Sequence, residues 1–380
     1  MKKIKDMHFI DDVTGISLFY PAVPKRGKEY VCDTLSTRWI GQGPKVDLFE
    51  DKFKKYIKSS HHPVAVGAGT DALHLAYTLC DMHPGDEVIA PVFTCTATNI
   101  PFLHMGVNIR FADIQLDTMN MDPKHVESLM TSKTKAIVCV HYGGLPCDMT
   151  ELRVIADKWN VPIIEDAAHA LGAFYKGTPI GSLSEYTMFS FQAIKHMTTG
   201  DGGMLMVQDD AIVDKAKRVR WFGIDRNAKQ DGTWKNDITE PGFKYQMTDI
   251  SASLGLASLE EVEGNLLCRQ SLLKKYEECL DAIPGVHFLS GNRDDRVHAA
   301  WLCTILSDDI ADIQSRLYEY KIESNQVHFR NDRYTIFKDH IKGCEFPNMD
   351  ELEDKYLVLP LHQELSESDV ERICGIIKKG

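Results

Sequence analysis

Residues 62–80 read HPVAVGAGTDALHLAYTLC: a short apolar run, a glycine turn, then apolar residues at helical spacing. The first run is brief and rich in Val, and the second repeats its apolar positions every three to four residues. A strand that passes through a glycine turn into a helix is half of a parallel crossover unit.

Working outward, the unit recurs. DEVIAPV (86–92), NIRFADI (108–114), TKAIVCVHY (134–142) and VPIIEDAA (161–168) read as further strands, each bounded by Gly, Pro or charge. ATNIPFLHMG (97–106), DPKHVESLM (122–130) and DMTELRVIADKWN (148–160) read as the helices between them. Such alternation implies parallel strands joined by crossover helices. EYTMFSFQ (185–192) and GGMLMVQD (202–209) add two strands on either side of a loop that carries Lys195.

After Gly242 the texture changes. Residues 247–283 hold helical spacing over many turns, with at most a break near Gly264. HAAWLCTIL (298–306), a helix at 309–320 and a last helix at 366–379 complete a smaller α+β unit. The expected organisation is a large, mostly parallel α/β domain with an N-terminal arm over 1–265 and a small C-terminal α+β domain over 266–380. The first two dozen residues lack periodicity and are expected to pack across the two.

The chain has 380 residues, 43% of them hydrophobic and 26% charged, which suits a globular protein of about two domains. A net charge of -12 argues against a nucleic-acid surface, because phosphate backbones need concentrated Lys and Arg. The opening MKKIKDMHFIDDVTG lacks the apolar core of a signal peptide, and no apolar run reaches membrane-spanning length. The expected location is cytoplasmic, with no membrane partner. The ten cysteines form no C-x-x-C pair and read as buried free thiols, and the fifteen histidines show no H-E-x-x-H spacing, so no metal site is expected.

Three features carry chemistry. Gly67, Gly69, Thr70 and Asp71 stand at the strand-to-helix turn, where free amides and the helix dipole suit a phosphate. The turn also matches G-x-G-x-x-A, but the next strand ends in Ala90 and Pro91 rather than the acid a dinucleotide ribose requires. IIEDAAHA places Glu165 and Asp166 at the end of a buried strand, with His169 just beyond; an aspartate there either caps the next segment or pairs with a protonated ring nitrogen. Lys195, read alone, is a solvated loop residue. Together and in this order, the turn, the aspartate and the lysine match the needs of pyridoxal 5'-phosphate: phosphate anchor, pyridine partner and Schiff-base amine.

Five ordered stretches, STRWIGQGPKVDLFEDKF (36–53), GAGTDALHLA (67–76), EDAAHALGA (165–173), SFQAIKHMTTGDGGML (190–205) and GFKYQMTDISASLGL (242–256), resemble the DegT/DnrJ/EryC1/StrS family of nucleotide-sugar aminotransferases, in particular its perosamine-synthase-like members acting on 4-keto sugars. The resemblance extends to YLVLPLHQELSESDVERI (356–373) and implies the aspartate-aminotransferase fold, type I among pyridoxal phosphate enzymes. It implies that Lys195 is the Schiff-base lysine, Asp166 the pyridine partner and His169 the residue beside the ring hydroxyl. Gly69, Thr70, Asp71 and Ser190 match the phosphate site. Lys244 matches a residue reaching into the neighbouring subunit's site, so a homodimer with shared active sites is implied. His328 and Arg330 are candidate substrate contacts by position, or an exposed surface pair.

Two positions depart from the family pattern. Cys95 stands where many relatives carry an aromatic residue stacked on the cofactor, with Phe93 a poor substitute if the strand alternates. Gln192 stands where His is common. Because the lysine is kept, the resemblance implies transamination, with glutamate as amino donor and a nucleotide-linked keto sugar, best a 4-keto-6-deoxyhexose, as acceptor in amino-sugar biosynthesis such as that of lipopolysaccharide O-antigen. A sugar dehydratase or other lyase, and a non-catalytic cofactor-binding regulator, are the alternatives.

Overall fold

Apolar residues at positions 46, 49, 53 and 57 line one helical face, and that face is buried. A computed structural model describes residues 15–226, 228, 232–233, 235, 237–289 and 293–379. Residues 1–14, on which the reading of the N-terminus as leaderless rests, lie outside it, as does part of the 223–237 stretch. Helices α1 (Gly27–Leu35) and α2 (Pro44–Ile57) come first, α2 burying Val46, Phe49, Phe53 and Ile57. Its free amides at Gly43, Lys45 and Val46 donate to the Asp249 carboxylate at 2.8, 3.2 and 3.1 Å, so a distant residue caps this helix.

The alternation then unfolds as expected: β1 (His62–Val66), α3 (Gly69–Leu79), β2 (Glu87–Pro91), α4 (Thr96–Met105), β3 (Asn108–Ala112), α5 (Pro123–Leu129), β4 (Thr134–Val140), α6 (Met149–Trp159) and β5 (Ile163–Asp166). Two-residue strands β6 (Phe174–Tyr175) and β7 (Thr178–Pro179) lead to β8 (Tyr186–Ser190), β9 (Gly203–Val207) and α7 (Asp210–Val219). The main sheet has seven strands in the order β1-β9-β8-β5-β4-β2-β3. Only β9 runs antiparallel to its neighbours; the other pairings are parallel, so six strands end at one edge.

Strand residues alternate between two helix layers. Val64, Val66, Val88, Ala90 and Val138 face a core shared with α3, α4 and α7, while Ala65, Ile89, Ile137 and Cys139 face one shared with α2, α5 and α6. Both faces are covered, which is why these strands read as nearly continuous apolar runs.

The long helical stretch is two helices, α8 (Asp249–Leu259) and α9 (Val262–Leu280). The break falls at Glu260 and Glu261, not at Gly264, which lies inside α9. At that break the Glu261 carboxylate accepts the Lys25 amide at 2.9 Å, and Glu260 accepts from Arg26 and Tyr30. The chain closes through β10 (His287–Phe288), β11 (Arg296–Val297), β12 (Cys303–Leu306), α10 (Ile310–Glu319), α11 (Pro347–Leu352), β13 (Tyr356–Leu359) and α12 (Glu367–Ile377). An antiparallel sheet, β10-β12-β13, forms a third core with α10, α12 and the second half of α9.

Val262 and Leu266 belong to a core of the main sheet, whereas Leu272, Leu273, Tyr276 and Leu280 belong to the third core. We propose that the boundary between a 1–265 unit and a 266–380 unit runs through this helix. Phe337, Phe346, Met349 and Leu352 return to the first core, so the smaller unit laps over the β3 edge.

Candidate functional site

The site stands where six strands end. At the close of β1 the chain turns through residues 67–68 into α3, and no side chain caps that helix. Its first amides are therefore left for an anion. A Cβ on Gly69 would stand 3.0 Å from Cβ and 3.1 Å from Oγ of Ser190, and one on Gly203 would stand 2.6 Å from the Ala68 carbonyl oxygen. Only glycines allow the turn to sit against β8 and β9. Thr70 is exposed at the helix start. The Asp71 side chain braces the turn by accepting the Ala68 amide, and burial, followed by the nearby Asp201 carboxylate, pushes its carboxyl up to about 6. As an acceptor a carboxylate offers an anion nothing, so the groups here that could donate to a phosphate are the backbone amides and the Thr70 and Ser190 hydroxyls.

Glu165 and Asp166 close β5 with their side chains on opposite faces. Asp166 Oδ2 accepts from Thr98 Oγ1 at 2.8 Å, and its Oδ1 accepts the Ala168 amide at 3.1 Å. Thr98 is fully buried in the first turn of α4 and also meets Thr94 Oγ1 at 2.9 Å. Burial raises the Asp166 carboxyl, while Thr98, Ala168 and the charge of Lys195 oppose that rise. Glu165 accepts from Thr187 Oγ1 at 3.0 Å and lies 2.9 Å from His141 Nε2. His141 Nδ1 accepts the Cys147 amide at 3.1 Å, so the ring proton sits on Nε2 and is donated to Glu165. Cys139, His141 and Cys147 bring ligand atoms within 4.8 Å of one another, but both imidazole nitrogens are already engaged. A metal there would have to break one of those bonds.

Lys195 is half-buried on the loop between β8 and β9, its amide donating to the Gln192 carbonyl at 2.9 Å. Its Nζ lies 3.8 Å from the centre of the Trp301 ring. Burial pulls the amine down to about 8, against the opposing pull of Asp166 and Cys95. His169 stacks on Trp301 at 3.7 Å and 13° between ring planes, and His328 stacks on His169 at 5.1 Å and 6°. Burial holds His169 well below the usual imidazole range, and His328 down to about 3. His169 Nδ1 is buried without a partner.

The structure thus gathers Lys195, Asp166, His169, His328 and Cys95, and sets Gly69 against Ser190. Cys95 is exposed at the start of α4, whereas Phe93 is 1% exposed, packed on Tyr142 and Tyr356 in the core. Phe93 stands two residues beyond the end of β2 and shares the core of its neighbour Val92, so packing rather than strand alternation commits it to the interior. Two expected residues stand apart. Lys244 is exposed and bridges Trp221 through its backbone, with no contact to Lys195 in this protomer. Arg330 is no exposed partner of His328: it is 3% exposed, and its guanidinium pairs with Asp332 at 2.8 Å, Glu353 at 2.8 Å and Asp350. With three carboxylates around it, that arginine reads as a brace for the 328–353 segment. Thr98 and Trp301 were not singled out from sequence, because one looks like a helix start and the other like an apolar residue of a strand.

These groups fit pyridoxal phosphate. An amide turn beside a hydroxyl suits its phosphate, a buried carboxylate suits a protonated ring nitrogen, and an amine of lowered basicity suits its carbonyl carbon. His169 Nδ1, buried and unpartnered, is available to the ring's oxygen substituent.

Comparison with known proteins agrees with this geometry. The chain matches the model of the DegT/DnrJ/EryC1/StrS aminotransferase family over residues 22–378. It is 34% identical to GDP-perosamine synthase of Caulobacter vibrioides, covering 97% of this chain and 99% of that one. The crystal structure of AtS13 from Actinomadura melliaura superposes with a TM-score of 0.92 at 32% identity, covering 97% of this chain and all of the other. The putative sugar aminotransferase Spr1654 of Streptococcus pneumoniae, in its PLP-form, gives a TM-score of 0.88 at 29% identity, covering 96% and 98%. Among the described residues no helix is long and apolar enough to cross a membrane. With a lysine and an aspartate in electrostatic reach of each other, and likeness along nearly its whole length, this chain belongs to the DegT/DnrJ/EryC1/StrS aminotransferase family and is a sugar aminotransferase dependent on pyridoxal phosphate.

Proposed function

We propose that this enzyme takes an amino group from glutamate and delivers it to the keto carbon of a nucleotide-linked deoxy sugar, best a 4-keto-6-deoxyhexose, in cytoplasmic amino-sugar biosynthesis of the kind that supplies lipopolysaccharide O-antigen. The observation that carries the reading is Lys195, an amine lowered to about 8 by burial and within the electrostatic reach of Asp166. Likeness to GDP-perosamine synthase supports the acceptor class.

The cofactor, when bound, supplies an electron sink at the carbon that exchanges its amine. Asp166, held by Thr98 and Ala168, would present a carboxylate to the ring nitrogen. Backbone amides of Gly69 and Thr70, with Ser190 Oγ, would hold the phosphate. His169 would serve the ring's oxygen substituent, and His328, stacked on it, would be a candidate contact for the acceptor. Lys195 would hold the cofactor covalently at rest, and its amine, lowered to about 8, would when free be able to take a proton from the donor carbon and return it to the acceptor.

Glutamate alone tests the class of reaction: stoichiometric release of 2-oxoglutarate is expected, and its absence would favour a dehydratase or other lyase. Mass spectrometry after adding GDP-, UDP- or dTDP-linked 4-keto sugars would then identify the acceptor.

The exposed Lys244 supports a homodimer in which each site borrows a residue from its neighbour. If Lys195→Ala and Lys244→Glu each inactivate the enzyme, mixed dimers should regain one intact site. Co-refolded at equal amounts, they should return roughly a quarter of wild-type activity. No recovery in purified mixed dimers would assign Lys244 to its own chain.

A further inference from the structure

Trp301 lies at a point where several restraints converge. The residue before it, Ala300, adopts φ of 55°, a left-handed conformation that costs energy for any residue with a Cβ. That turn is pinned on both sides: Ala299 donates its amide to the Gly144 carbonyl at 2.9 Å, and Trp301 donates its own to Gly143 at 3.0 Å. The ring is 2% exposed. His169 stacks on it at 3.7 Å, Phe19 of the N-terminal arm stacks at 5.5 Å and 21°, and the indole N–H points to the Ile194 carbonyl at 3.5 Å, one residue before the lysine. Ordinary packing would not need a strained backbone, two stacking partners and a link to the lysine loop at once.

The consequence is a fixed aromatic face with the Lys195 amine above it. We propose that Trp301 is a positioning residue: its ring face holds the Lys195 ammonium, by cation–π attraction, whenever the amine is not covalently engaged. The inference rests on the assignment of Lys195 as the reacting lysine. A transaminase releases this amine in each half of its cycle and needs it back at the same place. A long alkyl chain left free would have many rotamers, and an indole 3.8 Å from Nζ limits them. Other charges face the same amine: Asp166 from β5, Cys95 from the start of α4, Arg269 from α9, His196 from its own loop, and His169 and His328 from the facing loops. Of these only Asp166 and Cys95 favour the ammonium. The ring face is a third stabiliser, and it has a direction that a carboxylate lacks.

The test compares substitutions of similar volume with and without a ring face. In the full-length protein freed of cofactor, so that the amine is not covalently engaged, the pH dependence of acetylation at Lys195, read by peptide mass spectrometry, reports the proton affinity of the amine. Trp301→Phe and Trp301→Met open the site to water to a similar degree, so their difference isolates the aromatic face. The affinity should fall in the order wild type, Trp301→Phe, Trp301→Met, with the last two separated by at least about half a pH unit. Equal values for Phe and Met in folded protein would overturn the proposal; Trp301→Leu replaces Met if that variant does not fold. In parallel, borohydride fixation of added pyridoxal phosphate, followed by peptide mapping, shows which lysine reacts. Fixation elsewhere than Lys195 would defeat the underlying assignment while leaving the Trp301 comparison readable.

Discussion

The two faces of β5 carry adjacent acids in opposite circumstances. Glu165 is fully buried and answered on its own side by Thr187 and His141, a closed set of hydrogen bonds with a ring whose second nitrogen is also satisfied. Asp166 has two donors, Thr98 and Ala168, and otherwise faces a lysine across a site built for a ligand. One acid is finished by the protein; the other is left incomplete. A strand can thus present one carboxylate closed off by the protein and one turned toward a lysine at consecutive positions, because alternation sends them to different neighbours.

The largest effect should come from the partner of the incomplete acid. Lys195→Ala should lower turnover by at least about a thousandfold while cofactor still binds without a covalent link, since phosphate and ring-nitrogen contacts lie elsewhere. Absorbance of the bound cofactor and 2-oxoglutarate release check both halves. Near-normal cycling by the variant would remove Lys195 from the reaction.

The acids themselves should split activity from stability. Asp166→Asn should cost about two to three orders of magnitude in rate, because a neutral partner does not hold the pyridine nitrogen protonated. It should cost little stability: burial raises the Asp166 carboxyl, so the fold opposes its ionisation, and removing the charge relieves that opposition. Glu165→Leu should do the reverse, stranding Thr187 Oγ1 and His141 Nε2 at a cost of about 3 kcal/mol while activity per folded molecule persists. Thermal melts of cofactor-free protein beside turnover would decide. A large stability loss in Asp166→Asn with unchanged activity would erase the contrast.

A smaller effect tests what keeps Asp166 ionised. The Thr98 hydroxyl donates to the carboxylate and so lowers its proton affinity. Thr98→Val removes that donor, and the acid limb of the pH–rate profile should move up by about one unit. Thr98→Ser should restore it. An acid limb that stays in place in Thr98→Val would mean that the Ala168 amide alone suffices.

The parallel strands, their crossover helices and the lysine between β8 and β9 were legible because each rests on neighbouring residues: runs of Val and Ile, glycine turns, helical spacing. What escaped depends on distant partners. The break between α8 and α9 falls at Glu260 and Glu261 rather than Gly264, where those glutamates meet Lys25, Arg26 and Tyr30 from the N-terminal arm and α1. His328 and Arg330 look alike from sequence, yet one joins the stack at the site while the other is drawn off by Asp350 and Glu353, twenty residues further on. Trp301 among small apolar residues reads as core until Lys195 appears above its ring. The orientation of β9 was equally hidden, since an antiparallel strand in the middle of a sheet is as apolar as its parallel neighbours.

The smallest effect concerns Asp71, an acid at a turn meant for phosphate. Burial and Asp201 raise its carboxyl from 3.8 to about 6 in the folded chain. A raised acid binds its proton more tightly folded than unfolded, so its contribution to stability is present below pH 3.8 and lost as pH rises through about 6. Asp71→Asn keeps an oxygen to accept the Ala68 amide but cannot ionise. In cofactor-free protein the variant should therefore match wild type near pH 3.5, gain on it across that window, and hold a constant advantage above pH 7. The side chain is only partly buried and so partly screened by solvent, and the gain should be under about 1 kcal/mol. The same change removes a negative charge beside the phosphate amides, and half-saturation by pyridoxal phosphate at pH 8 should need less cofactor. A melting advantage that is the same at every pH would trace the effect to packing. Weaker cofactor binding in the variant would show that the Asp71 carboxylate orders the turn more than its charge repels the ligand.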